Sequence, residues 1–435
     1  MTPITDSRPR RPVRVCFMID SLRPAGTETQ LLALIRHLDR SRVRPVLCLL
    51  DGEDDLSRSL EPKDCPVLRL GVKGLSRPQS LAKAWRLAQF LNRQRIDVLQ
   101  AYFPDSTYFG VPVAWLARVP RIVCTRNNIG YWTTPLHRRL GRLCHRLSAG
   151  LVANCQACGQ AVTEGEGLSP KRIAVLENGV DLSRFPSPFT VGYSSLSIHH
   201  SPPVAYASGS EGVANASGSE GERRIGITAN LRPVKDLDIF VRAAGLVAAT
   251  HPHVTFHIAG EGELRRTLEE LVADLKLTDR IFLPGTIQDV PGFLAELDIA
   301  VLCSRSEGMS NAILEYMAAG KAIVATAVCG NGQLLEHERH GLLVPPGDPH
   351  HLAEAMRRLL NYPALANRLA HAARERVEAR YSRQAMVRRF EAFYRDLLWG
   401  TDFPCGSTLT LLWPSSQHGL GVQLELVNRT SNLLA

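Results

Sequence analysis

Residues 299–321 constrain the fold more than any other stretch of this chain. Ile299, Ala300, Val301 and Leu302 form a short unbroken apolar run, the mark of a parallel strand buried on both faces. A polar, Gly-containing turn follows. From about Asn311 the residues Ala312, Ile313, Tyr316 and Met317 are apolar at helical spacing. A strand, a turn and a helix opening make half of a βαβ unit, and open α/β sheets hold ligands at that junction. The helix start offers unpaired N–H groups and a positive dipole end, which suit an anion such as a phosphate. Two carboxylates bracket the turn. Glu307 lies in the loop and Glu315 in the second helical turn. Both can accept hydrogen bonds from sugar hydroxyls.

The same unit recurs along the chain. In the first half, strands are expected at Val13–Ile19, 43–50, 67–70, 97–102, 122–125, Gly150–Ala153 and 173–176. Helices are expected at 28–38, 81–92, 106–116 and 136–147. The second half repeats the pattern, with strands at 224–228, 255–259, 281–283, Ile299–Leu302, Ala322–Thr326 and 341–344. Its helices are expected at 236–249, from 311, and at 351–360, 365–378 and 383–398. Between the halves, Ser, Gly, Pro and Ala dominate, and ASGSEG occurs at Ala207 and again at Ala216. That composition reads as a low-complexity linker. The expected organisation is a first domain at 1–186, a linker at 187–222, a second domain at 223–398 and an irregular tail at 399–435.

Charge separates the halves. Residues 1–185 hold 28 Lys and Arg against 16 Asp and Glu, a surplus of 12, while the whole chain carries +9. Residues 101–150 hold seven basic residues and a single acid, Asp105. Such asymmetry points to an anionic partner: a phosphorylated lipid, an anionic membrane surface, an acidic glycan or a nucleic acid. Nucleic acid ranks last, because no recognition motif accompanies the charge. The content is 45% hydrophobic and 21% charged, as in soluble globular proteins, and no apolar run reaches about 18 residues. The run Val15 to Ile19 is short and ends at Asp20, so it reads as a strand and not as a signal-peptide core. The expected location is the cytoplasm, with peripheral attachment to the inner face of the cytoplasmic membrane as the variant the charge favours. Ten cysteines are then expected to be free thiols. Cys155 and Cys158 make one C-x-x-C without a second pair, and buried or semi-exposed thiols are favoured over a redox or metal role.

The string EGMSNAILEYMAAGKAIVAT, with its E-x7-E spacing, closely resembles the signature of family 4 glycosyltransferases. The resemblance implies an α/β protein of the GT-B architecture: two Rossmann-like domains facing a central cleft, with a C-terminal helix crossing back to the first domain. It implies a retaining enzyme that uses nucleotide sugars, UDP- or GDP-linked, with no cofactor and no essential metal. Carried over, Glu307 contacts the donor sugar, the backbone N–H groups of Met309 and Ser310 assist it with Asn311 beside them, and Glu315 holds the ribose. The resemblance spans about residues 13–186 and 223–398, and is most specific in the second half.

Several other segments extend it. After the first strand, Gly26 and Glu28 stand where the family has Gly-Gly-x-Glu beside the donor diphosphate, with Ala25 replacing the first Gly. After the strand at 224–228, Lys235 matches the family's diphosphate-binding Lys, while its Arg position holds Asn230 and Arg232 stands two residues on. Cations at such a loop suit a diphosphate. Gly285, in Pro284-Gly285-Thr286, resembles the segment that meets the nucleotide base. Gln333 occupies the Glu position of the family's G-G-x-x-E turn. On the acceptor side Asn127 stands where the family places a His; it can hydrogen-bond a sugar hydroxyl but cannot titrate. The phrase ENGVD, from Glu177, resembles the family's P-N-G-V-D.

Two local features have bland readings. Asp236-Leu237-Asp238 spells D-x-D, but it opens a helix, where Asp stabilises the dipole end. The stretch 136–147 places Leu136, Leu140, Leu143 and Leu147 at helical spacing with Arg138, Arg139, Arg142 and Arg146 over much of the rest. It reads either as a core-facing helix with a charged outer face or as a helix that lies on anionic lipid, with Trp132 close by. His137 and His145 fall on that stretch as solvated face residues. The expected function is glycosyl transfer, from Lys235, Arg232 and Glu307, to a lipid-linked or surface-polysaccharide acceptor. The alternative is a non-catalytic nucleotide-sugar-binding subunit, motivated by Asn230, Asn127 and Gln333.

Overall fold

A computed structural model describes residues 11–52, 54–74, 78–130, 133–186, 189, 222–400 and 402–405. The ASGSEG repeats, Trp132 and the tail from residue 406 lie outside the described residues.

Two parallel sheets organise the chain. The first contains β1 (Val13–Ile19), β2 (Val43–Leu49), β3 (Val67–Arg69), β4 (Val98–Ala101), β5 (Arg121–Arg126), β6 (Gly150–Ala153) and β7 (Ile173–Val175). Their order is β3-β2-β1-β4-β5-β6-β7. The second contains β8 (Arg223–Thr228), β9 (Val254–Ala259), β10 (Ile281–Gly285), β11 (Ile299–Leu302), β12 (Ala322–Thr326) and β13 (Leu342–Val344), ordered β10-β9-β8-β11-β12-β13. In each sheet the strand order reverses once, between β1 and β4 and between β8 and β11. Those reversals open crevices at the carboxyl ends of the strands.

Alternation along a strand assigns its two faces. Val13, Val15, Phe17 and Ile19 join one apolar cluster, while Cys16 and Met18 join another. The first cluster also holds buried residues of α1 (Gly26–His37). The second is covered by α3 (Gln79–Arg93), α4 (Pro104–Leu116), α5 (Pro135–Leu147) and α6 (Gln156–Glu166), with α2 (Asp55–Leu60) at the edge of the domain. In the second sheet Val301 and Val324 face one core, and Ala300, Leu302 and Ile323 the other. Its helices are α7 (Leu237–Ala248), α8 (Arg265–Asp274), α9 (Val290–Ala295), α10 (Asn311–Ala318), α11 (Asn331–Leu334), α12 (Pro349–Asn361) and α13 (Pro363–Arg380). One cluster is continuous between the domains, through Cys158, Val180, Phe185 and Met309.

The last helix, α14 (Arg383–Trp399), crosses back. Met386, Phe390, Tyr394 and Leu397 are buried in the first domain's cluster, and the Tyr394 hydroxyl donates to Gln100 Oε1 at 2.6 Å. The outward and returning segments pair where they cross. The Val180 N–H donates to Tyr381 O and the Arg383 N–H to Val180 O, both at 2.8 Å. Asp181 and Arg383 add an ion pair at 2.8 Å, and Glu177 and Arg380 one at 2.7 Å. Among the described residues no helix is long and apolar enough to cross a membrane.

Candidate active site

The loops after β8 and β11, which flank the second sheet's reversal, bring the central residues together. Lys235 ends a 3-10 turn at Pro233–Lys235, and its Nζ lies 2.5 Å from Glu307 Oε1. The Ser304 hydroxyl donates to the same oxygen at 2.7 Å. Both ends of the pair are mostly covered, so the charges attract through a medium less screening than water. Arg305 reaches the other way, to Asp236 Oδ1 at 2.6 Å. Asp238 lies in the first turn of α7, while at the N-cap position stands Asp236, whose side chain makes no capping hydrogen bond. Asp236 is buried, with φ at 55°, and its side chain faces Arg305 instead of the helix's free N–H groups. Burial pushes its carboxyl above the ordinary value, against the pull of Arg305.

Ser310 caps α10, its Oγ accepting the Ile313 N–H at 3.4 Å. Tyr316 then fixes the helix to the sheet. Its hydroxyl accepts the Thr228 N–H at 2.8 Å and donates to Val301 O at 3.2 Å, spanning β8 and β11. Sequence reasoning took Tyr316 only as an apolar contact, because its ring obeys the helical period and its hydroxyl leaves no pattern. The side chain of Glu315, one residue earlier, makes no hydrogen bond among the described residues, and burial pushes its carboxyl up to about 7 against the opposing charge of Arg184. A half-buried carboxylate whose side chain has no donor, in a helix's first turns, is free to take hydroxyl groups.

The first domain closes over this turn. Asn311 Nδ2 donates to Gly26 O at 3.1 Å, and its Oδ1 accepts from Gln30 at 3.1 Å and Asn178 at 2.9 Å. The Asn178 N–H lies 3.1 Å from the Met309 sulfur. Gly308 fits only because it lacks a Cβ, which would stand 2.3 Å from Asn127 O and 3.2 Å from Cys158 Sγ. The turn before α11 lies equally close, since a Cβ on Gly330 would meet Gly308 O at 1.2 Å. Asn127 Nδ2 reaches Thr27 Oγ1 at 3.3 Å. Gln333 Oε1 accepts the Gln156 N–H at 3.0 Å, a contact between domains. Gly26, Asn127, Glu307, Met309, Ser310 and Asn311, chosen from distant parts of the sequence, thus surround one seam.

The remaining candidates lie further out. Asn230 and Arg232 are exposed at the rim. The charge of Arg232 is felt by Glu28, which is buried on α1 and pushed up by that burial. Gly285 ends β10, which β9 and β8 separate from β11. Asp20, not singled out from sequence, accepts the Ser106 N–H at 2.9 Å and hydroxyl at 2.5 Å, and burial pushes it up to about 6.

Beside Asn127, in the first domain, opens a small cavity whose walls include Thr27, Tyr108, Arg126, Asn128 and His145. Its floor is a buried cluster. Glu166 bonds Arg126 and accepts from His145 Nε2 at 2.8 Å. Burial drives His145 down, but hydrogen bonds to Cys124 and Glu166 outweigh it and raise it to about 9. This corrects two expectations. His145 is not a solvated face residue, and the buried ridge of α5 is Gly141, Cys144 and His145, while Leu136 and Leu143 are exposed. A Cβ on Gly141 would lie 2.1 Å from Glu166 Oε2, so the carboxylate occupies the space that a side chain would take. His137 also has a partner, in a capping box with Thr134. Cys155 and Cys158 are buried free thiols at the start of α6, 3.3 Å apart.

Residues 24–184 match the profile of Glycosyltransferase Family 4, and residues 222–362 that of Glycosyl transferases group 1. The chain is 24% identical over 365 residues to the UDP-Gal:alpha-D-GlcNAc-diphosphoundecaprenol alpha-1,3-galactosyltransferase of Escherichia coli, covering 79% of this chain and 86% of that protein. It is 32% identical over 165 residues to the Alpha-D-kanosaminyltransferase of Streptomyces kanamyceticus, covering 38% of this chain. It is 34% identical over 146 residues to the lipopolysaccharide core biosynthesis glycosyltransferase LpsD of Rhizobium meliloti, covering 33% of this chain. The chain spans less than half the length of these last two, 43% of each. In fold it resembles Anabaena Alr3699/HepE in complex with UDP, with a TM-score of 0.74 at 20% identity, covering 88% of this chain and 100% of that one. The same protein in complex with UDP-glucose gives a TM-score of 0.70 at 21% identity, with the same coverage.

Proposed function

The chain belongs to glycosyltransferase family 4 and has the GT-B architecture, and on that footing we propose that it moves a sugar from a nucleoside diphosphate sugar to a lipid-linked or surface-polysaccharide acceptor, with retention of configuration. One observation carries this reading. Lys235 and Glu307 meet at the second sheet's reversal, with donor-free Glu315 on the adjoining helix and Asn127 across the seam. In this mechanism Lys235 stabilises the leaving diphosphate as its charge grows, and Arg232 adds charge from the rim. Glu307 orients the transferred sugar, helped by the N–H groups of Met309 and Ser310 at the positive end of α10. Glu315 takes the ribose hydroxyls. The leaving phosphate accepts the acceptor's proton, so Asn127 need only hold the acceptor hydroxyl. Transfer of this kind needs no metal, because Lys235 and Arg232 supply the positive charge.

UDP is the favoured base carrier, with GDP as the alternative, since a UDP-Gal-dependent relative and UDP-bound neighbours share the framework. A lipid-linked acceptor places the protein at the inner face of the cytoplasmic membrane as a peripheral protein. A thermal-shift screen of UDP-, GDP- and ADP-sugars, followed by transfer assays and determination of the product anomer, tests the proposal. A ligand at 100 times its dissociation constant stabilises by about 2.7 kcal/mol. Binding without turnover for every acceptor offered, unchanged in Glu307→Gln, identifies a non-catalytic sugar-nucleotide-binding subunit instead.

A further inference from the structure

Ten large apolar side chains stand exposed among the described residues, and six of them lie on three helices of one layer. Leu81 and Trp85 are on α3, Trp115 and Leu116 on α4, and Leu136 and Leu143 on α5. α3 packs against α4 and α4 against α5, so their outer sides form one face. The exposure is not marginal: 78% for Leu81, 66% for Trp85, 54% for Trp115 and 71% for Leu116. Apolar groups gathered like this on one face mark an interaction surface, whereas single scattered ones need no explanation.

The charge on the same helices has one sign. They hold seven Lys and Arg residues, Arg138, Arg139, Arg142 and Arg146 among them, and one acid, Asp105, at the start of α4. Among the described residues none of the four α5 arginines is in an ion pair. A second copy of this chain is a poor occupant, because the face would meet its own positive charge. A nucleic acid would use the arginines but leave the leucines and tryptophans without apolar partners. An anionic lipid surface uses both. Tryptophan rings and leucines enter the headgroup boundary, and guanidinium groups stay with the phosphates.

We propose that the outer face of α3, α4 and α5 docks this protein on an anionic membrane. The proposal deepens the reading that the acceptor is lipid-linked, and rests on it for its purpose. α4 and α5 have two working sides. Pro104, Thr107 and Tyr108 of α4, and Gly141 and His145 of α5, line the cavity beside Asn127, while their outer sides carry Trp115, Leu116, Leu136 and Leu143. Docking through those outer sides brings the cavity within reach of an acceptor whose lipid remains in the bilayer.

The test is co-sedimentation of the full chain with phosphatidylcholine vesicles, with and without phosphatidylglycerol, at low and high salt. The expected result is at least about tenfold stronger binding to the anionic vesicles, lost in salt, with a blue shift of tryptophan emission. Trp85→Ser with Trp115→Ser should lose the blue shift and most of the binding. Arg138, Arg139, Arg142 and Arg146 changed to Gln should lose the salt-sensitive part. Both variants should keep the melting temperature and the affinity for UDP-sugar. Equal binding to neutral and anionic vesicles, no binding to either, or undiminished binding by the variants overturns the proposal. So does a sedimentation analysis in which the tryptophan variant turns a dimer into a monomer, which assigns the face to self-association. If no nucleotide sugar binds while the vesicle results hold, the transferase reading fails and the docking face stands.

Discussion

Lys235 and Glu307 form an ion pair at 2.5 Å from loops 72 residues apart in sequence. The pair holds the Glu307 carboxylate in place before any sugar arrives, and occupies the ammonium that a diphosphate would claim. Glu307→Gln keeps the shape and removes the charge. It should lower kcat by about 10²-fold, as does loss of one group aimed at transition-state charge. Nucleotide affinity should hold or improve slightly, because Lys235 is released. Steady-state kinetics and calorimetric UDP titration check both parts, and full turnover in the variant sinks the assignment.

Glu315 gives a pH signature. Burial raises its folded value to about 7, above the usual carboxylate range. Between the unfolded value, near 4.3, and 7 the unfolded chain has given up its proton and the folded one keeps it. Stability therefore falls as pH rises through that window. Glu315→Gln should flatten this part of the melting-temperature profile between pH 4.5 and 7. Glu315→Ala should weaken UDP and UDP-sugar in parallel, by about tenfold or more for a lost charged hydrogen bond.

Gly308→Ala should impair closure and leave the second domain folded. Its Cβ would enter the space of Asn127 O and Cys158 Sγ, which belong to the other domain. Overpacking of this kind costs about 1–3 kcal/mol. The expected outcome is a large loss of kcat, a small change in UDP affinity and a greater solution radius by small-angle scattering. An unchanged radius with full activity removes the inference that this contact forms in the working state.

The Arg126–Glu166–His145 cluster predicts loss of stability toward alkaline pH. His145 is raised to about 9 in the fold, so its contribution is complete below about 6.5 and lost as pH rises through 9. Glu166, lowered below its ordinary value by His145 and Arg126 despite burial, acts in the opposite sense at acid pH. NMR titration of His145 should show a protonated ring beyond pH 8. Glu166→Gln should bring that titration down toward the ordinary value and flatten the alkaline limb of the melting profile.

The two sheets were legible because a parallel strand buried on both faces is a short apolar run, as at Ile299–Leu302. Short or Gly-bearing helices were not. α6 carries Gly159 and Gly165, and α2, α9 and α11 are six residues or fewer. The second domain's residues could be named because one string carries Glu307, Ser310 and Glu315. The first domain's cavity could not, since Arg126, His145 and Glu166 meet only when α5 and α6 stand side by side. α5 also misled for a physical reason. Its leucines have helical spacing, but Gly141, Cys144 and His145 form the inward ridge, because the Glu166 carboxylate occupies the space beside Gly141.

The crossing of α14 also governs the order in which the protein can form. The second domain's strands and α7–α13 are contiguous, so that unit can complete itself once residue 380 has been made. The first domain cannot. One side of its sheet waits for Met386, Phe390 and Tyr394, which leave the ribosome about 200 residues after β7. At about 5–20 residues per second, the part of that apolar side left open beside α1 stands uncovered for some ten seconds or more. The domain synthesised first is thus the one that finishes last, and a chain cut between the halves would strand it without its cover.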